Sequence, residues 1–247
     1  YNNAKKVQDA GYGGQIIGFG PNVSWWWMTM VWSFGGNLYD DALNPTVNSK
    51  EAIAATDFLK KLMTVSPKGA STANSDEVTS KFLGENIGAM INYSGYYGSV
   101  LDKSINKNEG KIGTAPMPKG SADITHLAGW NIGIPKDAKN PTAAWKFLEY
   151  VLGKTNAKTY LESGAAAIGR KSITTDADLL AKFPYLAQLE IPASSRIERY
   201  PQIAVWPEFE VAAIDAVTQV LNGKSDSTKA MTALNEKLKP ILAKEPK

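Results

Sequence analysis

The sequence predicts an α/β protein, because short apolar runs alternate along the chain with segments of helical periodicity. The composition supports a folded chain: 43% of its 247 residues are hydrophobic, 21% are charged, and the formal net charge is +3. A chain of this length and composition has enough apolar residues for a substantial core, and it forms either one large domain or two smaller ones.

Four short apolar runs predict buried strands, because each is bounded by glycine, proline or other turn residues. They are 15–19 (QIIGF), 87–92 (IGAMIN), 111–117 (KIGTAPM) and 128–134 (AGWNIGI). Helical patterns separate them, which favours α/β over an all-α or all-β fold.

The longest helical pattern in the first half extends from Asn48 to Val65. Asn48 is expected to cap it, with Glu51 three residues further on, as in a capping box. Apolar side chains recur on one face and predict the buried stripe Ala52, Ala55, Leu59 and Leu62.

Several shorter helices are also expected. Asn140 and Pro141 open one of them as the cap and the first helical residue. Pro184 interrupts another, and Pro240 should kink or fray the last. The others are expected at 76–83, 156–162, 179–189, 207–221 and from about 227. The buried stripe of the helix that begins at Pro141 is expected to be Ala144, Leu148, Val151 and Leu152.

The first eleven residues have the pattern of the second half of a helix that ends at Gly11. Natural chains seldom begin inside a helix, so one expectation is a shortened chain. A short terminal helix that begins at Tyr1 is the alternative.

The composition excludes several classes of site. There is no cysteine and only one histidine, which excludes disulfides, thiolate zinc sites, iron–sulfur clusters and histidine metal clusters. No basic stripe is present, so no nucleic-acid partner is expected. The longest apolar stretch, 25–34, is about half of the roughly 20 residues that span a bilayer. No nucleotide-binding or hydrolase motif occurs, and no cofactor, metal site or catalytic residue is expected.

Three consecutive tryptophans, Trp25, Trp26 and Trp27, are the most informative feature. On a helix, consecutive side chains point in different directions, so at least one indole faces solvent, a cleft or a partner. Indole faces stack on the C–H faces of sugars by the physics that pairs aromatic rings, which contributes about 0.5–1.5 kcal/mol for each contact beyond burial. The alternative is a tryptophan-rich core element.

Other aromatic residues are weaker candidates. Tyr96 and Tyr97 follow the predicted strand 87–92, and ligands of open α/β sheets bind outside this end of the strands. Trp130 stands between small residues, and Trp206 stands at a helix start. Each of these positions is also compatible with a place in the core.

The charged residues suggest no catalytic pair. Glu208 and Glu210 are two residues apart at a helix start, so their side chains diverge and are better placed to favour the positive helix end. A glycoside hydrolase needs two convergent carboxylates. Arg170 is expected either to hydrogen-bond a polar ligand or to pair with a surface acid.

Seven segments stand in a recognisable order: KKVQDAG, the tryptophan run followed by FGGNL, IGAMINYSGYY, KIGTAPMPKG, AGWNIGIPKDAKNPTAAWKFLEYV, AAAIGRKSI and WPEFEVAAIDAVTQVLNG. Together they resemble the extracellular solute-binding proteins of family 1, the sugar receptors of ABC importers related to maltose-binding protein. The similarity spans essentially the whole chain.

The resemblance implies a fold like that of the type II periplasmic-binding proteins, with two α/β lobes, a hinge between them and sugar held in the cleft. Residues 1–122 and 177–247 would form the C-terminal lobe, the second part being helical. Residues 123–176 would be a segment of the N-terminal lobe with the hinge crossings. The resemblance further implies that the N-terminal third of a receptor is missing, so that the missing lobe or another copy of the chain covers the strand 128–134.

By the same resemblance, the ligand-binding residues are Trp25, Trp26, Trp27, Tyr96, Tyr97, Trp130, Arg170 and Trp206. They would capture a sugar or oligosaccharide without chemical change, and the transmembrane subunits of an ABC permease would recognise the closed form. The implied location is periplasmic or extracellular, with a cell-surface lipoprotein as one form.

Three other functions stay open from the residues themselves. The same fold could bind ferric iron through the tyrosine pair Tyr96 and Tyr97, since iron prefers oxygen ligands. A carbohydrate-active enzyme could use the same aromatic residues. A structural or interaction module could have all of them in its core.

Overall fold

The computed structural model describes residues 1–108, 110–164, 169–189 and 195–246. The helices of this part are α1 (Asn2–Asp9), α2 (Val23–Ser33), α3 (Lys50–Met63), α4 (Ser75–Gly84), α5 (Tyr97–Leu101), α6 (Pro141–Leu152), α7 (Lys154–Glu162), α8 (Lys171–Thr174), α9 (Ala177–Lys182), α10 (Trp206–Leu221) and α11 (Ser227–Leu242). Short 3₁₀-helices span Ser94–Tyr96 and Pro184–Leu189. The strands are β1 (Ile124–Leu127) and β2 (Arg196–Arg199).

The chain divides into two compact units. Unit 1 consists of Tyr1–Asn92, Met117–Leu127 and Ala193–Lys247, and unit 2 consists of Tyr93–Pro116 and Ala128–Pro192. The lobe boundaries expected near residues 122 and 176 stay predictions.

Helices α2, α3, α10 and α11 pack against one another and form the core of unit 1. All residues of α2 except Trp25 are buried, as is typical of a helix that is apolar on every side. The predicted stripe of α3 is confirmed, because Ala52, Ala55, Leu59 and Leu62 are all buried.

Side-chain caps begin the helices close to the predicted positions. Ser49, not Asn48, caps α3: its backbone is extended (φ −64°, ψ 159°), and its hydroxyl accepts a hydrogen bond from the Ala52 N–H at 3.3 Å. Asn140 caps α6 as predicted, and its side-chain oxygen accepts from the Ala143 N–H at 3.2 Å.

Two of the four predicted strands lie side by side in unit 1 but pair over few residues. Isolated parallel bridges join Gly13 to Ile87 and Ile16 to Met90. The Ile16 N–H donates to the carbonyl oxygen of Ala89 at 2.9 Å. Segments 15–19 and 87–92 therefore meet only at isolated bridges, and neither forms the continuous strand that the sequence predicts.

The other two predicted strands, 111–117 and 128–134, are wrong, because neither segment is a strand. An apolar run becomes a strand only where a second backbone accepts and donates its hydrogen bonds. Segment 128–134 instead lies open, and Trp130 is 96% exposed. The strands observed are β1 and β2, which pair in parallel with Ile124 opposite Arg196.

Unit 2 has a small core of its own, built from α7, α8, α9 and the following 3₁₀-helix. The side chains of this core are Ala157, Leu161, Ile173, Leu179, Phe183, Tyr185 and Leu186. Helix α6 does not contribute to it. The predicted stripe of α6 is wrong, because no residue of this helix is buried and Leu152 is exposed.

The apolar side chains of α6 are open to solvent in unit 2. Trp145, Phe147 and Tyr150 are each more than half exposed, on a helix whose neighbour in this unit is α7. Large apolar patches on a protein surface are typical of sites where another protein packs. The sequence pattern therefore predicts the position of helix α6 correctly, whereas its prediction of which residues are buried is wrong because no element described in unit 2 covers the apolar face.

The single histidine of the chain, His126, lies on β1 with its ring mostly enclosed. Its Nδ1 lies 2.8 Å from Thr29 Oγ1, and the Thr29 hydroxyl donates to the carbonyl oxygen of Trp25 at 2.8 Å. When the Thr29 proton is directed to Trp25, the Thr29 oxygen can accept a hydrogen bond from His126 Nδ1–H. The Nε2 atom is buried without a hydrogen-bond partner among the described residues. Burial lowers the pKa of His126 from its usual value to about 4.

His126 should make the stability of the protein depend on pH. The unfolded chain binds a proton at His126 near pH 6.5 and the folded chain does so only near 4. Between these values the unfolded state binds more protons, so stability rises with pH and is lost as the pH falls. Urea unfolding measures the free energy of unfolding at pH 7 and at pH 5. Between these two values the wild-type protein should lose about 2 kcal/mol more of this free energy than the His126→Gln variant. Equal losses would contradict a buried neutral ring.

Candidate functional site

A contiguous group of aromatic rings lies in unit 1 where α2 meets the start of α10. We call Trp25, Tyr200, Trp206 and Phe209 the aromatic corner. The rings of Trp25 and Tyr200 meet edge to face at 5.4 Å between centroids, and those of Tyr200 and Trp206 do so at 4.9 Å. Trp206 stacks on Phe209 at 5.0 Å. Such contacts fix the rings relative to one another.

The carboxylate of Glu210 holds the corner together. Its Oε1 accepts hydrogen bonds from the Ser24 hydroxyl at 2.9 Å and from the Trp25 indole Nε1–H at 3.0 Å. Its Oε2 accepts from the Tyr200 hydroxyl at 2.8 Å. Glu210 thereby links α2, α10 and the segment after β2. Its neighbour Glu208 points elsewhere and pairs with Lys244 at 2.6 Å.

The environment of the Tyr200 hydroxyl favours its neutral form. Burial raises the pKa of Tyr200, and the adjacent Glu210 raises it further by accepting the phenolic proton and by its negative charge. The indole groups of Trp206 and Trp25 oppose this by favouring the phenolate. Tyr200 is therefore a hydrogen-bond donor to Glu210 and is not a phenolate ligand.

The three consecutive tryptophans have different surroundings. Trp27 has no exposed surface, and its Nε1–H donates to Thr56 Oγ1 at 2.9 Å. Trp26 is also buried, whereas Trp25 is partly exposed. This agrees with the expectation that the three indoles cannot all face inward. A stacking platform needs an accessible ring face, and of the three only Trp25 is not buried.

The tyrosine loop lies in unit 2 and directs its two tyrosines to different neighbours. The Tyr97 ring stacks on Tyr185 at 3.8 Å between centroids, and the Tyr96 ring lies 6.4 Å from that of Tyr93. Gly98 permits this arrangement, since a Cβ there would stand 1.7 Å from the carbonyl oxygen of Gly164. Tyr97 thus has one ring face covered by protein.

The remaining predicted residues of unit 2 lie apart from the tyrosine loop in sequence and are exposed. Trp130 is exposed over nearly its whole surface, and Arg170 donates through Nε to the carbonyl oxygen of Leu152 at 3.2 Å. Among the described residues, no ion pair between Arg170 and an acidic side chain is observed. Most of the turn that precedes it, 165–168, lies outside the described residues.

Unit 1 therefore brings Trp25 and Trp206 together through Tyr200, and it places Trp27 on the α3 side of α2. Sequence reasoning missed Tyr200 and Glu210. Glu210 could have been found, because it follows Trp206 by four residues and so lies on the same helix face. Tyr200 had no such signal, since its segment makes no periodic element.

The described residues offer neither a metal site nor a membrane-spanning helix. No group of three or more histidine, aspartate or glutamate side chains there could hold a metal ion. No helix in that part of the chain has the length and apolarity needed to cross a membrane.

Comparison with known proteins places these features in context. The family model of bacterial extracellular solute-binding proteins matches residues 1–158. A curated relative, a probable amino-acid ABC transporter periplasmic-binding protein from Sinorhizobium fredii, is 24% identical over 242 residues. The match covers 97% of this chain and 55% of that protein.

Solved structures show the same fold. An ABC transporter solute-binding protein from Agrobacterium radiobacter, in complex with ribitol, superposes with a TM-score of 0.85 at 27% identity. The maltose-bound MalE3 of T. maritima superposes with a TM-score of 0.86 at 23% identity. Each match covers 97% of this chain and 63% of the other. The expected family resemblance and the expected α/β fold, like that of type II periplasmic-binding proteins, are confirmed.

Proposed function

Because this chain belongs to the bacterial extracellular solute-binding proteins, we propose that it binds a sugar or a related polyol, without chemical change, for an ABC importer. The family is extracellular, and periplasmic in ABC importers, so the proposed location is the periplasm or the cell surface. The proposed partners are the solute and the transmembrane permease subunits that receive it.

The observation that best supports a sugar is the aromatic corner of unit 1. Trp25 combines a partly accessible indole with a fixed position, because the Glu210 carboxylate and the Tyr200 ring hold it. A preorganised aromatic face costs little side-chain entropy when it contacts a ligand, and it desolvates the apolar C–H face of a sugar ring. The solved relatives bound to ribitol and maltose make this ligand class the first to test.

Each unit has proposed binding residues of its own. In unit 1 they are Trp25 and Trp206, the latter as a support because it is buried. In unit 2 they are Tyr96, Tyr97, Trp130 and Arg170, of which Trp130 offers the largest accessible ring and Arg170 a charged donor. Trp26 and Trp27 are left out because both are buried.

A further protein surface is proposed to cover α6. The rings of Trp145, Phe147 and Tyr150 are exposed, and this chain matches 63% of the length of the two related structures. The remainder of the solute-binding fold is the proposed cover, and a second copy of the chain is the alternative. Sedimentation velocity distinguishes them: a concentration-dependent dimer that Trp145→Glu abolishes would favour the second copy.

The proposal is tested by titrating intrinsic tryptophan fluorescence with maltose, mannitol and ribitol, while chromatography follows the sugars. The expected result is a saturable change with at least one of them and no new product, since a binding protein returns its ligand intact. Turnover of an oligosaccharide would favour the enzyme alternative. A visible charge-transfer band on adding ferric ions, without any sugar response, would favour iron.

A further inference from the structure

We infer that Glu210 is the positioning residue of the aromatic corner, the group that fixes the orientation of Trp25 and Tyr200 for ligand contact. The inference rests on the proposed function for its consequence in binding. The positioning itself is observable without a ligand.

Glu210 is the common acceptor of hydrogen bonds from distant parts of the chain. Glu210 accepts three, from Ser24, Trp25 and Tyr200, and divides them between its two carboxylate oxygens. Hydrogen bonds to a charged acceptor are stronger than those between neutral groups. The three donors come from segments that are 186, 185 and 10 residues away in sequence, so no local turn places them.

The ring contact with Tyr200 gives Trp25 little directional control by itself. An edge-to-face contact is favourable over a broad range of distances and angles, so the contact with Tyr200 gives little directional control. The hydrogen bond from the Trp25 Nε1–H to Glu210 is directional, so it fixes the edge of the indole ring that carries the Nε1 atom. The hydrogen bond therefore adds directional control that the ring contact lacks.

The neighbouring acidic residue, Glu208, has a different partner from Glu210. Glu208 lies two residues before Glu210 on the same helix. Its carboxylate forms a surface ion pair with Lys244, and no contact given for the described residues joins it to a ring of the aromatic corner. The two glutamates differ in partners while sharing charge, size and helix. Glu208 therefore provides a matched control.

The positioning is tested on the protein without ligand, using the variants Glu210→Gln and Glu208→Gln. In ¹H–¹⁵N spectra, the Trp25 indole resonance is assigned by its loss in Trp25→Phe. Glu210→Gln is expected to move this resonance more than any other indole resonance. It is also expected to lower the pKa of Tyr200, followed by phenolate absorbance against Tyr200→Phe, because the carboxylate raises it. Glu208→Gln should change neither.

Binding is then measured with whichever of maltose, mannitol and ribitol the wild type binds. Glu210→Gln should weaken affinity about tenfold, because the Trp25 ring is then no longer preorganised for the ligand, while Glu208→Gln keeps wild-type affinity. If Glu210→Gln leaves the Trp25 resonance unmoved, the inference is wrong whatever the sugars do. If the resonance moves and affinity is unchanged, the role in binding is overturned. If the resonance moves and the wild type binds no sugar, the proposed function fails and the positioning of Trp25 stands.

Discussion

Trp27→Ala is expected to lower the free energy of unfolding by about 3–5 kcal/mol, the range for removing a large buried aromatic side chain. The Trp27 ring has no exposed surface and packs between α2 and α3. Its loss leaves a cavity in the helix layer and removes the donor to Thr56 Oγ1. Urea unfolding monitored by circular dichroism measures the change.

Trp25→Ala is the matched control for this stability effect, since it removes the same side chain two residues away on the same helix. Because Trp25 is partly exposed, its loss should destabilise the protein by less than half as much as Trp27→Ala. Equal destabilisation by the two variants would show that the division of α2 into a core side and an accessible side is incorrect.

Trp25→Ala is expected to have the larger effect on ligand binding, weakening affinity for a bound sugar about tenfold or more. The variant removes both the stacking energy, about 0.5–1.5 kcal/mol, and the apolar area that the ligand would cover. Calorimetric titration with the sugar that the wild type binds measures the loss.

The control for this second effect is Trp145→Ala, which removes an exposed indole that is not in the proposed site. It should keep wild-type affinity. An unchanged affinity in Trp25→Ala, or an equal loss in Trp145→Ala, would contradict the assignment of Trp25 as a stacking platform.

The helices were predictable from sequence because their signals are local. The cap at Asn140 and the stripe from Ala52 to Leu62 need only a few turns of chain to be recognised, and both are observed. The stripe of α6 failed for a different reason. Periodicity reports which face of a helix is apolar, whereas burial depends on what packs against that face.

The strands were less predictable because pairing is not local. Segment 128–134 has the composition of a buried strand, but it remains open, with Trp130 exposed. Strand β2 has the sequence RIER, in which three of the four residues are charged. So short a segment shows no recognisable alternation of apolar and polar residues. Its pairing with β1 joins residues more than seventy positions apart, as in the pair Ile124 and Arg196.

The candidate site was predictable in its residue types and less so in its geometry. The tryptophan run and Trp206 were identifiable from composition, and the structure joins Trp25 to Trp206. The joining residues, Tyr200 and Glu210, become evident only when α10 and the segment after β2 meet α2. The expectation that Glu210 mainly favours the helix end is wrong, because its carboxylate is engaged by three side chains.

Calorimetry against matched panels of sugars, polyols and amino acids gives the sharpest test of the proposal that this chain binds a sugar or polyol. The amino-acid panel is included because the curated relative is described as a probable amino-acid transporter component. The predicted result is saturable one-to-one binding of at least one sugar or polyol, weakened in Trp25→Ala. Binding of an amino acid with no response to any sugar or polyol would contradict the claim.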